Sequence, residues 1–112
     1  SMDAEKVGWI ITEPFIWKGE ELFVNADARW GEIHAEIMDP ERLPENPQGS
    51  VGPDTFGAIR GFVTHRGETE PISGDHLRHR LNWKENARPP RDRPVQIRFI
   101  IRQARLYSFW IE

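Results

Sequence analysis

A chain of 112 residues with 38% hydrophobic content, five tryptophans and six phenylalanines is long and aromatic enough for one domain with a real core, which excludes disorder. Cysteine is absent, so neither a disulfide framework nor a thiolate zinc site is available. No apolar stretch approaches the roughly 20 residues of a bilayer span, the N-terminus lacks a signal-peptide profile, and a formal charge of −3 speaks against a nucleic-acid partner, as does the separation of the aromatics from the basic strands.

Ser1 and Met2 read as a protease-cleavage scar at residues 1–2 ahead of an excised fragment, leaving residues 3–112 as a single domain. GWIIT and PFIW are two strand pieces around a bend at Glu13-Pro14, and Lys18-Gly19-Glu20 turns the chain. In ELFVNADA, Leu22, Val24 and Ala26 alternate with Glu21, Phe23, Asn25 and Asp27, which predicts a half-buried strand. Trp30-Gly31 is read as a corner. Beyond it GEIHAEIM sets Ile33, Ala35 and Ile37 against Glu32, His34, Glu36 and Met38, so the two strands predict an antiparallel hairpin.

From Asp39 to Gly57, four prolines and three glycines predict a long exposed loop. IRGFVT predicts the next strand, and His65 to Asp75 a second loop. In HLRHRLNW, Leu77, His79, Leu81 and Trp83 take one face and Arg78, Arg80 and Asn82 the other. After a proline-rich turn, RPVQIRFIIR sets Val95, Ile97, Phe99 and Ile101 against Gln96, Arg98 and Arg102. LYSFWI closes the chain. About eight strands, no helix and no internal repeat predict an all-β fold, an antiparallel β-sandwich of jelly-roll type.

The charge is unevenly spread. Residues 1–77 hold 15 acids and 6 bases, residues 78–105 hold 9 bases and 2 acids, and 12 of the 15 basic residues are arginine. Arginine favours bidentate recognition of carboxylate, sulfate or phosphate; oppositely charged strands pairing across a sheet account for the same pattern without a ligand.

Several segments together carry a resemblance: Val24-Asn25-Ala26, AEIMD at 35–39, Gly61-Phe62, PISGD at 71–75, the strand ending in Trp83, PVQIRF, and LYSF at 106–109. Over most of residues 8–112 the chain resembles the C-terminal β-sandwich accessory domain of five-bladed β-propeller glycosidases and related secreted bacterial glycoside hydrolases. It departs from that pattern in a longer Asp39–Gly57 loop and in having no cysteine between Thr64 and Glu70. The resemblance implies a non-catalytic domain that packs on, or binds glycan beside, a hydrolase, and an extracellular or periplasmic location.

Sugar recognition needs aromatic faces for the C–H face of a pyranose and planar polar groups for its hydroxyls. Trp17 and Trp30, next to glycine turns, are the candidate exposed rings; Trp9, Trp83 and Trp110 lie within strands and read as core or domain interface. The polar sheet face offers Asn25, His34, Glu36, Arg78, Arg80, Gln96 and Arg98 as a carbohydrate-binding surface if their strands are neighbours, and a solvated face with cross-strand ion pairs as the alternative. His76 and His79, three apart on a strand, are expected on opposite faces and unable to share an ion, and His34 and His65 are isolated. No cofactor is expected; a structural calcium would draw on Asp27, Asp39, Asp54 and Asp75. No nucleophile elbow, phosphate loop or cysteine nucleophile is present. Glu32 and Glu36 stand about 13 Å apart along a strand, farther than glycosidase carboxylate pairs, so the chain is read as a non-enzyme. The expected function is therefore carbohydrate binding or accessory support of a hydrolase. Docking on the propeller without glycan binding, and a protein-interaction module, are the alternatives; the partners are glycan or the parent catalytic domain.

Overall fold

The computed structural model describes residues 7–41 and 57–112, so the scar at 1–2, Asp54 and most of the proline-rich loop lie outside the described residues. The fold is all-β and antiparallel, with six strands among the described residues where about eight were expected: β1 (Val7–Ile11), β2 (Phe15–Ile16), β3 (Leu22–Met38), β4 (Ile72–Arg80), β5 (Pro94–Arg102) and β6 (Arg105–Ile111). Among the described residues no helix is long and apolar enough to cross a membrane.

The largest departure from the sequence reading is β3, which runs unbroken for 17 residues where a hairpin was expected. Trp30-Gly31 bends the strand without reversing it. The first part of β3, Leu22 to Ala28, pairs with β4 on one edge and β6 on the other, while Glu32 to Met38 pairs with β5. β5 and β6 follow one another along the same edge, and their junction at Gln103, with φ 46°, sits beside the bend in β3. Two long strands thus fold over together, and β3 passes from one layer to the other, as strands do at sandwich corners. β1 and β2, separated at Pro14, both pair with the far edge of β5.

The period-two pattern decides which faces meet. Leu22, Val24, Ala26 and Ala28 from one layer and Ile33, Ala35, Ile37, Val95, Ile97 and Phe99 from the other form one buried core. Its end is closed by aromatic rings: Trp83 stands edge-on to Phe62 at 5.1 Å and to Trp17 at 6.1 Å, and the Trp83 indole donates to Ala35 O at 2.8 Å. Trp17 is 2% exposed, which corrects the expectation that its glycine turn would present it to solvent; the turn folds back and the ring fills the core.

IRGFVT is not a strand. Met38 forms an isolated bridge with Ala58, Phe62 N–H returns to Ile59 O, and Gly61 takes φ 98°; the segment crosses the β3–β5 layer, and a short 3-10 turn follows at Thr64–Arg66. The expected His65–Asp75 loop ends early, since β4 begins at Ile72.

Strand β4 also departs from strict alternation. Ala26 pairs with His76 and Val24 with His79, so two β4 residues, Leu77 and Arg78, stand against Asn25. This bulge shifts the phase. Leu77, expected on the apolar face, is 82% exposed, and His76 and His79 come to one face with ring centroids 4.5 Å apart, correcting the expectation that they point apart.

The tightest backbone approach lies at the bend. A Cβ on Gly31 would sit 1.8 Å from Arg102 O and 2.8 Å from Gln103 O, both main-chain atoms that cannot rotate away. Gly31→Ala is expected to lower unfolding free energy in urea by about 1–3 kcal/mol, the range for overpacking. Gly8→Ala, whose Cβ would meet only Ile101 O at 4.0 Å, is expected to change it by less than about 0.5 kcal/mol. Equal effects at the two glycines would contradict this account of the bend.

Candidate functional site

The nine residues expected to bind carbohydrate fall into four environments, of which the core holds Trp17. Glu36 and Arg98 face each other in the β3–β5 register and are 0% and 1% exposed, a correction to their assignment to an open face. The Arg98 guanidinium donates to Glu36 Oε1 through Nε at 2.8 Å and also through Nη2. The other carboxylate oxygen accepts the Thr64 N–H at 2.7 Å. The physical reason for the burial is the crossing segment, which lays Val63 and Thr64 over this layer, while the Trp9 ring approaches the Arg98 guanidinium at 5.7 Å. Charges out of water need partners for each remaining polar atom, and here no buried side-chain nitrogen or oxygen among the described residues is left unsatisfied.

His34 and Gln96 lie on the same covered face. The His34 ring bridges Thr69 Oγ1 at 2.7 Å and Glu32 Oε2 at 3.0 Å, and the Thr69 hydroxyl donates to Thr64 Oγ1. Carboxylate, imidazole and hydroxyl in line have the outline of a nucleophile relay, but Thr69 is 4% exposed and its hydroxyl hydrogen is directed to Thr64, so a substrate has no path to it. The arrangement fastens the 64–69 segment to β3. Gln96 Nε2 donates to Thr12 O at 2.9 Å, tying the link between β1 and β2 to β5.

Asn25, Arg78 and Arg80 lie on the outer face of the other layer, β4–β3–β6, which is open. They share it with two aromatic residues that the sequence reading did not choose. Phe23 stands in register between Arg80 and Trp110; its ring stacks on Trp110 at 6.0 Å and 18° and is capped by the Arg78 guanidinium at 4.1 Å. Glu112 ties the group together, accepting from Arg78 at 2.6 Å and from the Trp110 indole at 2.8 Å. The indole bond and then the guanidinium hold the Glu112 carboxyl below the usual range. Its contribution to stability is therefore present above the ordinary carboxylate range and lost as pH falls through the lowered value. Arg80 and Asn25 make no side-chain hydrogen bond or ion pair among the described residues. The signal for these aromatics was present: Phe23 and Trp110 alternate in phase with polar Asn25 and Ser108, a poor phase for core residues.

Trp30 is 81% exposed at the bend, beside Arg29, which is bound bidentately by Asp27 at 3.0 and 2.9 Å. The Arg29 bonds lower the Asp27 pKa, and they occupy both oxygens expected to serve a calcium. Asp75 faces Asp27 across the ladder, Asp39 accepts the Glu41 N–H, and among the described residues no three histidine, aspartate or glutamate side chains gather for a metal.

A third surface is apolar. Trp9, Ile10, Ile11 and Ile16, on the terminal strands β1 and β2, are 39–48% exposed, and Trp9 and Ile10 line a shallow groove with Val7, Ile101 and Ala104.

The buried pair is testable directly. Arg98→Met leaves the Glu36 charge uncompensated and is expected to cost about 3–5 kcal/mol in urea unfolding. The double variant Glu36→Leu/Arg98→Met is expected to recover most of that loss, short of about 1–3 kcal/mol for the orphaned Thr64 N–H; a double loss equal to or above the single one would contradict the pairing. Compared with protein-family models, curated proteins and solved structures, the chain matches none, and the reading of its surfaces rests on their residues and geometry.

Proposed function

We propose that this chain is a non-catalytic β-sandwich accessory domain of a secreted bacterial glycoside hydrolase, extracellular or periplasmic, and that it works by docking on its parent catalytic domain. The observation that carries the docking reading is the row Trp9, Ile10, Ile11 and Ile16 on one terminal edge. Four large apolar side chains grouped there mark an interaction surface, and β1 is the end of the sheet order, so among the described residues no strand pairs with its outer edge. The propeller parent comes from the family resemblance; the apolar edge supports a partner surface independently of it.

Glycan binding is kept as a second reading on a separate observation: Arg80 and Asn25, with no side-chain hydrogen bond or ion pair among the described residues, stand on the open β4–β3–β6 face next to the Trp110–Phe23 stack. Arg98, Glu36 and Trp17 are withdrawn from it by burial, and His34 and Gln96 are engaged by Thr69 and Thr12.

One pair of measurements separates the readings. In the parent hydrolase, Trp9→Arg/Ile11→Arg is expected to split a single calorimetric unfolding transition in two, as a lost domain interface does, while affinity electrophoresis of the 112-residue chain through a polysaccharide panel shows no retardation. An unsplit transition would refute docking through this edge. Retardation that Arg80→Ala and Trp110→Ala abolish would move the assignment to glycan recognition.

A further inference from the structure

We propose that the bulge in β4 builds a divalent transition-metal site from His76 and His79, with imidazole as the protein ligand and Cu2+ as the preferred ion. The inference is independent of the docking and glycan readings.

The bulge places both rings on the side of β4 that faces Val24 and Ala26, at the free edge of the layer. Their centroids are 4.5 Å apart and the rings are tilted by 47°. An imidazole nitrogen binds a metal at about 2.0–2.1 Å, which sets its ring centre about 3.2 Å from the ion. Two imidazoles at right angles on one ion therefore have centres about 4.5 Å apart, which is the spacing of His76 and His79.

The tautomer of His76 fits the same role. Its Nε2 lies 2.6 Å from Ser73 O, an acceptor only, so Nε2 carries the proton and Nδ1 keeps its lone pair. A ligating histidine whose other nitrogen donates to a backbone carbonyl is the usual outer arrangement at metal sites, where it fixes the ring and raises its basicity. Gly74 makes the placement feasible: it holds φ 88°, and a Cβ there would meet His76 Nε2 at 3.1 Å. His79 makes no hydrogen bond among the described residues, so both of its nitrogens remain available.

No third protein ligand joins the pair among the described residues. Asp75 is in register with Asp27, out of phase with His76, and points away. Water fills the remaining positions, so the ion is exchangeable, and selectivity follows the intrinsic order in which Cu2+ stands above Ni2+ and Zn2+ for nitrogen ligands.

The test is a Cu2+ titration of the full chain at neutral pH, read by pulsed EPR. The expected result is saturable one-to-one binding with the modulation pattern of two equatorial imidazoles, and the unsubstituted chain alone can give it. His76→Gln and His79→Gln are each expected to weaken the binding about tenfold or more and to leave at most one imidazole in the spectrum, whereas His65→Gln leaves it unchanged. Absence of saturable binding, a single-imidazole spectrum in the unsubstituted chain, or a site that survives either glutamine variant would overturn the proposal.

Discussion

Glu36 and Arg98 meet where water does not reach, and the exposed surface of this domain is organised around that meeting. A carboxylate and a guanidinium on facing residues of β3 and β5 would, on an open sheet, form a solvated pair of little energetic weight. Here the segment from Gly57 to Thr69 lies across them, and its Thr64 N–H completes the coordination of Glu36. Desolvation makes the pair unforgiving, since removal of either partner strands a charge. The same contact fixes the route of the covering segment, which His34 and Thr69 fasten a second time. One layer of the sandwich is thereby closed to ligands, and any partner must be met by the opposite layer or by the terminal edge.

The closed and open layers share a strand because of the bend at Gly31. A residue with a side chain would collide with the Arg102 carbonyl, so the close crossing of β3 with the β5–β6 junction rests on the absence of a Cβ. The bend shifts the alternation of β3 by one residue, from even positions inward before it to odd positions inward after it. Leu22, Val24 and Ala26 on one side of it and Ile33, Ala35 and Ile37 on the other consequently face a common core. The open layer inherits Phe23, Asn25 and their neighbours on its outer side, where Trp110, Arg78 and Glu112 form a cluster that is largely self-satisfied.

Alternation alone was enough to reveal the all-β class and the inward faces of β3 and β5, and the neighbouring glycine pointed to the exposure of Trp30. It failed wherever chain geometry interrupts the period. Trp30-Gly31 looked like a reversal because glycine beside a bulky residue suits a turn, and only the pairing with β5 and β6 reveals that the chain continues. The bulge at Leu77 adds one residue to β4, so Leu77 leaves the apolar phase and His76 joins the face of His79, Leu81 and Trp83, which is why His76 and His79 were expected to diverge. Polar residues on an outward phase were taken to be free, yet the phase of Glu36 and Arg98 says nothing about a segment some thirty residues away in sequence that covers them. Trp17 was misjudged for the same reason: what buries it is its contact with Trp83, a residue far along the chain. Phe23 and Trp110 were legible, since large rings on a polar phase signal either a surface cluster or a partner.

The seal over Glu36 and Arg98 is the claim on which the division into closed and open surfaces stands, and native-state hydrogen exchange at the Thr64 amide tests it most directly. The Thr64 N–H, bonded to a carboxylate that is 0% exposed, is expected to exchange only with global unfolding, as slowly as the Ile37 and Phe99 amides of the core strands. Exchange of Thr64 at the rate of an open loop, with those strand amides still protected, would mean that the segment lifts off and that the Glu36–Arg98 face is a working surface after all.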